Sequence, residues 1–205
     1  MSVNTSEVEQ RIFTIGHSNH PLEKFLGLLR AHSVEVLMDI RSHPYSRYAP
    51  HFNSRNLQAA VTGIGIQYLF LGKELGGRPK GEEFYDADGY VLYSRVAESP
   101  LFLEGISRLE TGVQQYRVAI MCSEENPVGC HRRLLVGHVL TARGLAVYHL
   151  RSDGRVQTEA ALAAEEMNRN SGDDQLALFG SQGANARKSI RSVLRRKKQP
   201  SSSEH

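Results

Sequence analysis

Apolar positions along the first 150 residues follow two alternating rhythms. Short, nearly continuous apolar runs occur at residues 11–15 (RIFTI), 34–40 (VEVLMDI), 64–71 (IGIQYLFL), 117–122 (RVAIMC) and 145–150 (LAVYHL). Runs of this length, rich in Val, Ile, Leu and Tyr, suit strands buried on both faces. Between them the spacing changes to that of a helix. Leu22, Phe25, Leu26 and Leu29 share one face up to Ala31, with Pro21 in the first turn. Asn53 or Ser54 can cap a short helix to about residue 62, and helical patterns return at 90–97, 100–110 and 158–168. Residues 130–143 form the strongest pattern, with Leu134, Leu135, His138 and Val139 on one side and Gly144 ending it. Strands alternating with helices predict a three-layer, doubly wound α/β domain with a mostly parallel sheet of about five strands. The order of the strands is not encoded in this pattern.

The predicted domain spans residues 1–168. Residues 169–205 read as a flexible tail, with small, polar, glycine-containing stretches at 169–175 and 180–186. The 205-residue chain is 40% hydrophobic and 23% charged, which excludes wholesale disorder and fibrous classes. No apolar run approaches the ~20 residues that cross a bilayer, so no membrane partner is expected. The N-terminal MSVNTSEVEQR lacks an export signal, and with two cysteines the expectation is a reducing, cytoplasmic location. Charge is unevenly placed. Of 25 Lys/Arg and 22 Asp/Glu, residues 171–205 hold seven and three, leaving 18 and 19 in residues 1–170. A nucleic acid would therefore meet local arginines on the body and a basic tail, not a general basic field.

In an open parallel sheet, ligands bind outside the carboxyl ends of the strands. Here those ends carry the chemistry. The first strand leads to Gly16, His17 and Ser18; the second to Asp39 and Arg41, then Ser46 and Arg47; the third to Gly76, Gly77 and Arg78. The fourth leads to Cys122 and Glu124, then Cys130, His131 and Arg132 at a helix start. The opposite edge is small and bland.

Asp39 and Glu124 are candidate acid, base or nucleophile, since two carboxylates at one site can divide those roles. Asp39 alternatively caps a turn or pairs with Arg41. Cys130, ahead of a helix N-terminus, is the better candidate nucleophile, and Cys122 reads equally as a buried core thiol. A phosphatase loop needs Arg six positions after Cys122, where Val128 stands. A Cys122–Cys130 redox pair is a third use of the thiols. Neither C-x-x-C nor H-x-x-x-H spacing occurs and Cys130 and His131 are adjacent, so no metal or other cofactor is expected. His131 joins the catalytic candidates. His17, Ser18, Arg41, Ser46, Arg47, Gly77, Arg78, Cys122 and Arg132 are candidate substrate or phosphate ligands. Tyr45, Tyr48, His51 and Phe52 either stack on a base or pack their own loop.

Together, the blocks at residues 14–18, 39–46, 75–78, 122–124 and 130–132 resemble the signatures of domain-of-unknown-function family 488, over roughly residues 11–150. The resemblance implies a compact bacterial or archaeal α/β domain and supports these positions as the site. It carries no reaction.

In the tail, Gln175, Leu176, Leu178 and Phe179 resemble the short peptide by which bacterial replication and repair proteins dock on the DNA sliding clamp. Alternatively, these apolar residues fold back onto the body. Residues 187–198 (RKSIRSVLRRKK) carry seven basic residues, suited to phosphate contacts or to solubility alone. The leading expectation is an enzyme acting on nucleic acid or a nucleotide, by hydrolysis or glycosyl transfer, in DNA repair or maintenance. The alternatives are a non-catalytic recognition module recruited by the clamp, and a small-molecule phosphohydrolase or thiol redox enzyme.

Overall fold

A computed structural model describes residues 10–171 and 188–192. Six strands form one sheet: β1 (Arg11–Gly16), β2 (Val36–Asp39), β3 (Gln67–Phe70), β4 (Val118–Cys122), β5 (Ala146–Leu150) and β6 (Val156–Thr158). Their order is β3-β2-β4-β1-β5-β6. The first five in this order run parallel, and only β6 is antiparallel to its neighbour, β5. The expected fold class holds, with one short edge strand added.

Alternating side chains on the strands feed two separate cores. Phe13, Ile15, Leu37, Ala119 and Met121 pack against α1 (Leu22–Ala31) and α2 (Ser54–Thr62). Ile12, Val36, Met38, Val118 and Ile120 face the other way. They meet α3 (Tyr93–Glu98), α4 (Pro100–Gln115) and the helix that ends in α5 (His138–Ala142). A last helix, α6 (Glu159–Ser171), follows β6, and its Leu162 is buried. Apolar residues on both sides of each central strand explain the continuous runs in the sequence.

The helix leading into α5 departs from the regular pattern. A π-type turn occupies Arg132–Gly137. The wider turn rotates the face that meets the sheet. The fully buried positions are therefore Leu135, Val136 and Leu140, while His138 is exposed. Residues 188–192 are not remote from the body. Ser189 N–H donates to Val91 O (2.9 Å), Val91 N–H donates to Ser189 Oγ (2.9 Å), and Lys188 pairs with Asp86 (3.2 Å).

Candidate functional site

The β2 end carries Asp39 and Arg41, and both are buried. Arg41 Nε and Nη2 donate to Asp39 Oδ1 (2.9 Å) and Oδ2 (2.6 Å), and Arg41 N–H adds a bond to Oδ1 (3.1 Å). Tyr68 Oη donates to Oδ2 (2.7 Å). Both carboxylate oxygens are thus engaged, and the side chain has no exposed surface. Asp39 does not have the geometry of an acid, base or nucleophile; it is the anchor of Arg41. Arg41 Nη2 also donates to Phe52 O (2.8 Å), and Nη1 lies 3.0 Å from His17 Nε2.

That last contact fixes the imidazole. An arginine can only donate, so His17 Nε2 accepts, and Nδ1–H donates to Ser18 O (2.6 Å). Burial, with the Arg41 charge beside it, holds His17 down to about 4. Its ring stacks on Phe52 at 4.3 Å. Ser18 turns the chain here with a left-handed φ of 47°. Ser46 is also structural: its N–H donates to Asn53 Oδ1 (2.7 Å) and its hydroxyl accepts from Ala49 N–H (3.1 Å). Arg47 is exposed and lies outside the cavity described next.

A cavity of about 430 Å³ opens at the carboxyl edge of the sheet. Among its walls are Arg41, Gly77, Arg78, Cys122, Glu124 and His131, which the sequence separates by up to 90 positions. Ser42, His43, Tyr45 and Tyr93 also line it. Ser189, Ile190, Arg191 and Ser192 close one side. Arg78 and Glu124 are both exposed and make no ion pair among the described residues. Tyr45 is 70% exposed at the rim.

The two thiols differ in position. Cys122 borders the cavity, whereas Cys130 is fully buried and does not. Hydrogen bonding from the Cys130 thiol, aided by the Arg132 charge and the backbone N–H groups of Glu124 and Ser123, lowers Cys122 despite its burial. Burial pushes Cys130 well up. The nucleophile expected at Cys130 is therefore better placed at Cys122. His131 Nε2–H donates to Ile40 O (3.1 Å), which leaves Nδ1 facing Cys122 Sγ (3.6 Å) and Cys130 Sγ (3.9 Å). Gly77 lies flat against that ring, since a Cβ there would meet His131 Cγ at 2.8 Å.

Arg132 is not a phosphate ligand in this geometry. It is buried and donates to Glu124 O, to Glu125 O (2.5 Å) and to Thr14 Oγ1 (3.3 Å). It therefore shapes the loop after β4. The carbonyl of Glu124 also approaches Gly16 so closely that no Cβ fits there. A network unforeseen in the sequence continues from Thr14. Its Oγ1 bonds His149 Nδ1 (2.8 Å), His149 Nε2 bonds Glu159 (3.0 Å), and Glu159 accepts from Arg133 (2.7 Å). Burial lowers His149 against the pull of Glu159. A threonine and a histidine inside otherwise apolar strands were the available signal. Residues 174–179, with the clamp-like peptide, lie outside the described residues.

The fold is that of an open-sheet α/β protein with a cavity at the carboxyl edge of its strands. The chain belongs to the family described as Domain of unknown function DUF488, whose model matches residues 21–139. That span runs from just before α1 to the second residue of α5 and omits β1, β5, β6 and α6. Comparison with curated proteins and with solved structures gave no match. No helix among the described residues is long and apolar enough to cross a membrane.

Proposed function

We propose that this protein is a hydrolytic enzyme whose substrate is a phosphate-bearing nucleic acid end or nucleotide. The observation that carries the reading is the composition of the cavity wall. Glu124, which has no ion-pair partner among the described residues, shares a cavity of about 430 Å³ with Cys122, His131 and the exposed cations Arg78 and Arg191. A cavity of that size suits a mononucleotide or the terminal unit of a strand. Arg78 and Arg191 supply the phosphate contacts, and Tyr45 supplies a ring at the rim for a base. Glu124 is the general base. Arg41, neutralised and held by Asp39, forms part of the cavity wall. A role in DNA repair or maintenance rests on this nucleic-acid reading and on the clamp-like form of residues 175–179. Retention of the chain on purified sliding clamp, lost in Leu178→Ala/Phe179→Ala, tests that docking.

The enzymatic reading is tested with an end-labelled single-stranded oligonucleotide and with mononucleoside phosphates. Arg78→Ala/Arg191→Ala should weaken binding at least tenfold at low salt, with a smaller deficit as salt rises. Glu124→Gln should keep binding and lose product formation, read by chromatography. Equal binding by the wild type and the double arginine variant would overturn the assignment.

A further inference from the structure

Three groups at the back of the cavity come from two places in the chain. Cys122 ends β4, and Cys130 and His131 open the helix beyond the loop. Their sulfur and nitrogen atoms all lie within 4.8 Å of one another. The two sulfur-to-nitrogen distances are 3.6 Å and 3.9 Å. A tetrahedral zinc ion with ordinary Zn–S and Zn–N bonds separates its ligands by roughly 3.6 Å for S and N and 3.8 Å for two S atoms.

The orientation of the imidazole matches as well. A zinc-bound histidine characteristically donates its second ring N–H to a carbonyl or carboxylate. Here Nε2–H already donates to Ile40 O, and the Gly77 backbone packs against the ring and holds its plane. Adjacency of Cys130 and His131 argues against shared ligation in sequence terms. The structure removes the objection, because the ring turns its nearer nitrogen, Nδ1, back toward the Cys130 sulfur.

We propose that Cys122, Cys130 and His131 form a zinc site with three protein ligands and a fourth position open to the cavity. Two thiolates and one imidazole in a compact triangle favour zinc over magnesium or calcium, which require oxygen donors. Cys122 and His131 both border the cavity, so the fourth position faces the substrate space. Glu124 lines the same cavity and is not one of the ligands. The chemical consequence deepens the hydrolytic reading above and rests on it. A water in the fourth position passes a proton to Glu124 as its oxygen bonds to the substrate's phosphorus or carbon. The departing group takes that proton as its bond breaks.

The site is tested without a substrate. Full-length protein is stripped with a chelator under reducing conditions, then titrated with Co²⁺ and with Zn²⁺. The expected result is uptake of about one ion per chain, with the intense visible and thiolate charge-transfer bands of tetrahedral thiolate cobalt. Zinc should bleach those bands and slow the reaction of a thiol reagent with the cavity-lining Cys122 in the unaltered protein, a readout that needs no variant. Cys130→Ser, checked for folding by circular dichroism, should lose the charge-transfer intensity, and Glu124→Gln should keep it. Weak octahedral cobalt bands, or Cys122 equally reactive with and without zinc, would overturn the proposal. Because uptake is read spectroscopically, the zinc site can fail while nucleotide binding through Arg78 and Arg191 stands.

Discussion

Two groups of polar side chains sit at the same edge of the sheet and differ in what they leave free. Around Asp39, every strong hydrogen-bonding atom is matched: Arg41, Tyr68 and His17 close a buried knot on the α2 side. Around Cys122 and His131, the Cys122 thiol, Glu124 and Arg78 border open space, and the His131 Nδ1 lone pair faces only the two sulfurs. Both groups were equally conspicuous in the sequence. The difference shows that a saturated cluster provides rigidity, and an unsaturated one beside it is where a ligand can add interactions.

The largest expected effect comes from breaking the closed group. Asp39→Ala leaves the Arg41 guanidinium buried without its counter-charge and should cost about 3–5 kcal/mol in denaturant unfolding. Replacing both partners with apolar residues, Asp39→Leu/Arg41→Met, should cost clearly less. A single variant no worse than the double one would show that the pair is not the source of the stability.

Next in size is an acid limb. The folded-state His17 value of about 4 lies below its ordinary 6.5. An unfolded chain therefore takes up the proton first as pH falls. The stabilisation is complete above pH 6.5, declines through the window between, and is exhausted near pH 4, for a total of about 3 kcal/mol. His149, also lowered, acts in the same direction. His17→Gln should flatten part of this slope in melts compared at neutral pH and near pH 4; an unchanged slope would remove His17 as its origin.

The smallest expected effect on stability lies in the open group. Arg78→Ala and Arg191→Ala should each change unfolding free energy by less than about 0.5 kcal/mol. Each should still lower affinity for the labelled oligonucleotide. A large loss of stability would place these arginines with the scaffold.

Much of the fold was legible because buried parallel strands and amphipathic helices write different periods into a chain. Four of the five main strands fall inside the runs that the apolar pattern marks, and β1 runs one residue past its own, to Gly16. Strand order was not legible, since pairing between Val36 and Val118 leaves no local trace. The three-residue β6 is too short to carry a period, and the π turn at Arg132–Gly137 shifts a face that a regular helix would place elsewhere. At the site, residue type and strand-end position pointed to the right edge. They could not separate Asp39 from Glu124, because the saturation of Asp39 depends on Tyr68, 29 residues away. Nor could they show that Ser189 and Arg191 return to the cavity wall.

The position of β4 has a consequence for how the molecule is assembled on the ribosome. This strand lies between β1 and β2 yet emerges after both of them, and after α4. A nascent chain that stops short of residue 118 holds a β2–β3 ribbon and a solitary β1, with their unpaired edges turned toward a vacant lane. Arrival of residues 118–122 fills that lane and, in the same motion, delivers Cys122 to the tip of the seam. One strand thus joins the two halves of the parallel sheet and sets Cys122 at their shared carboxyl edge.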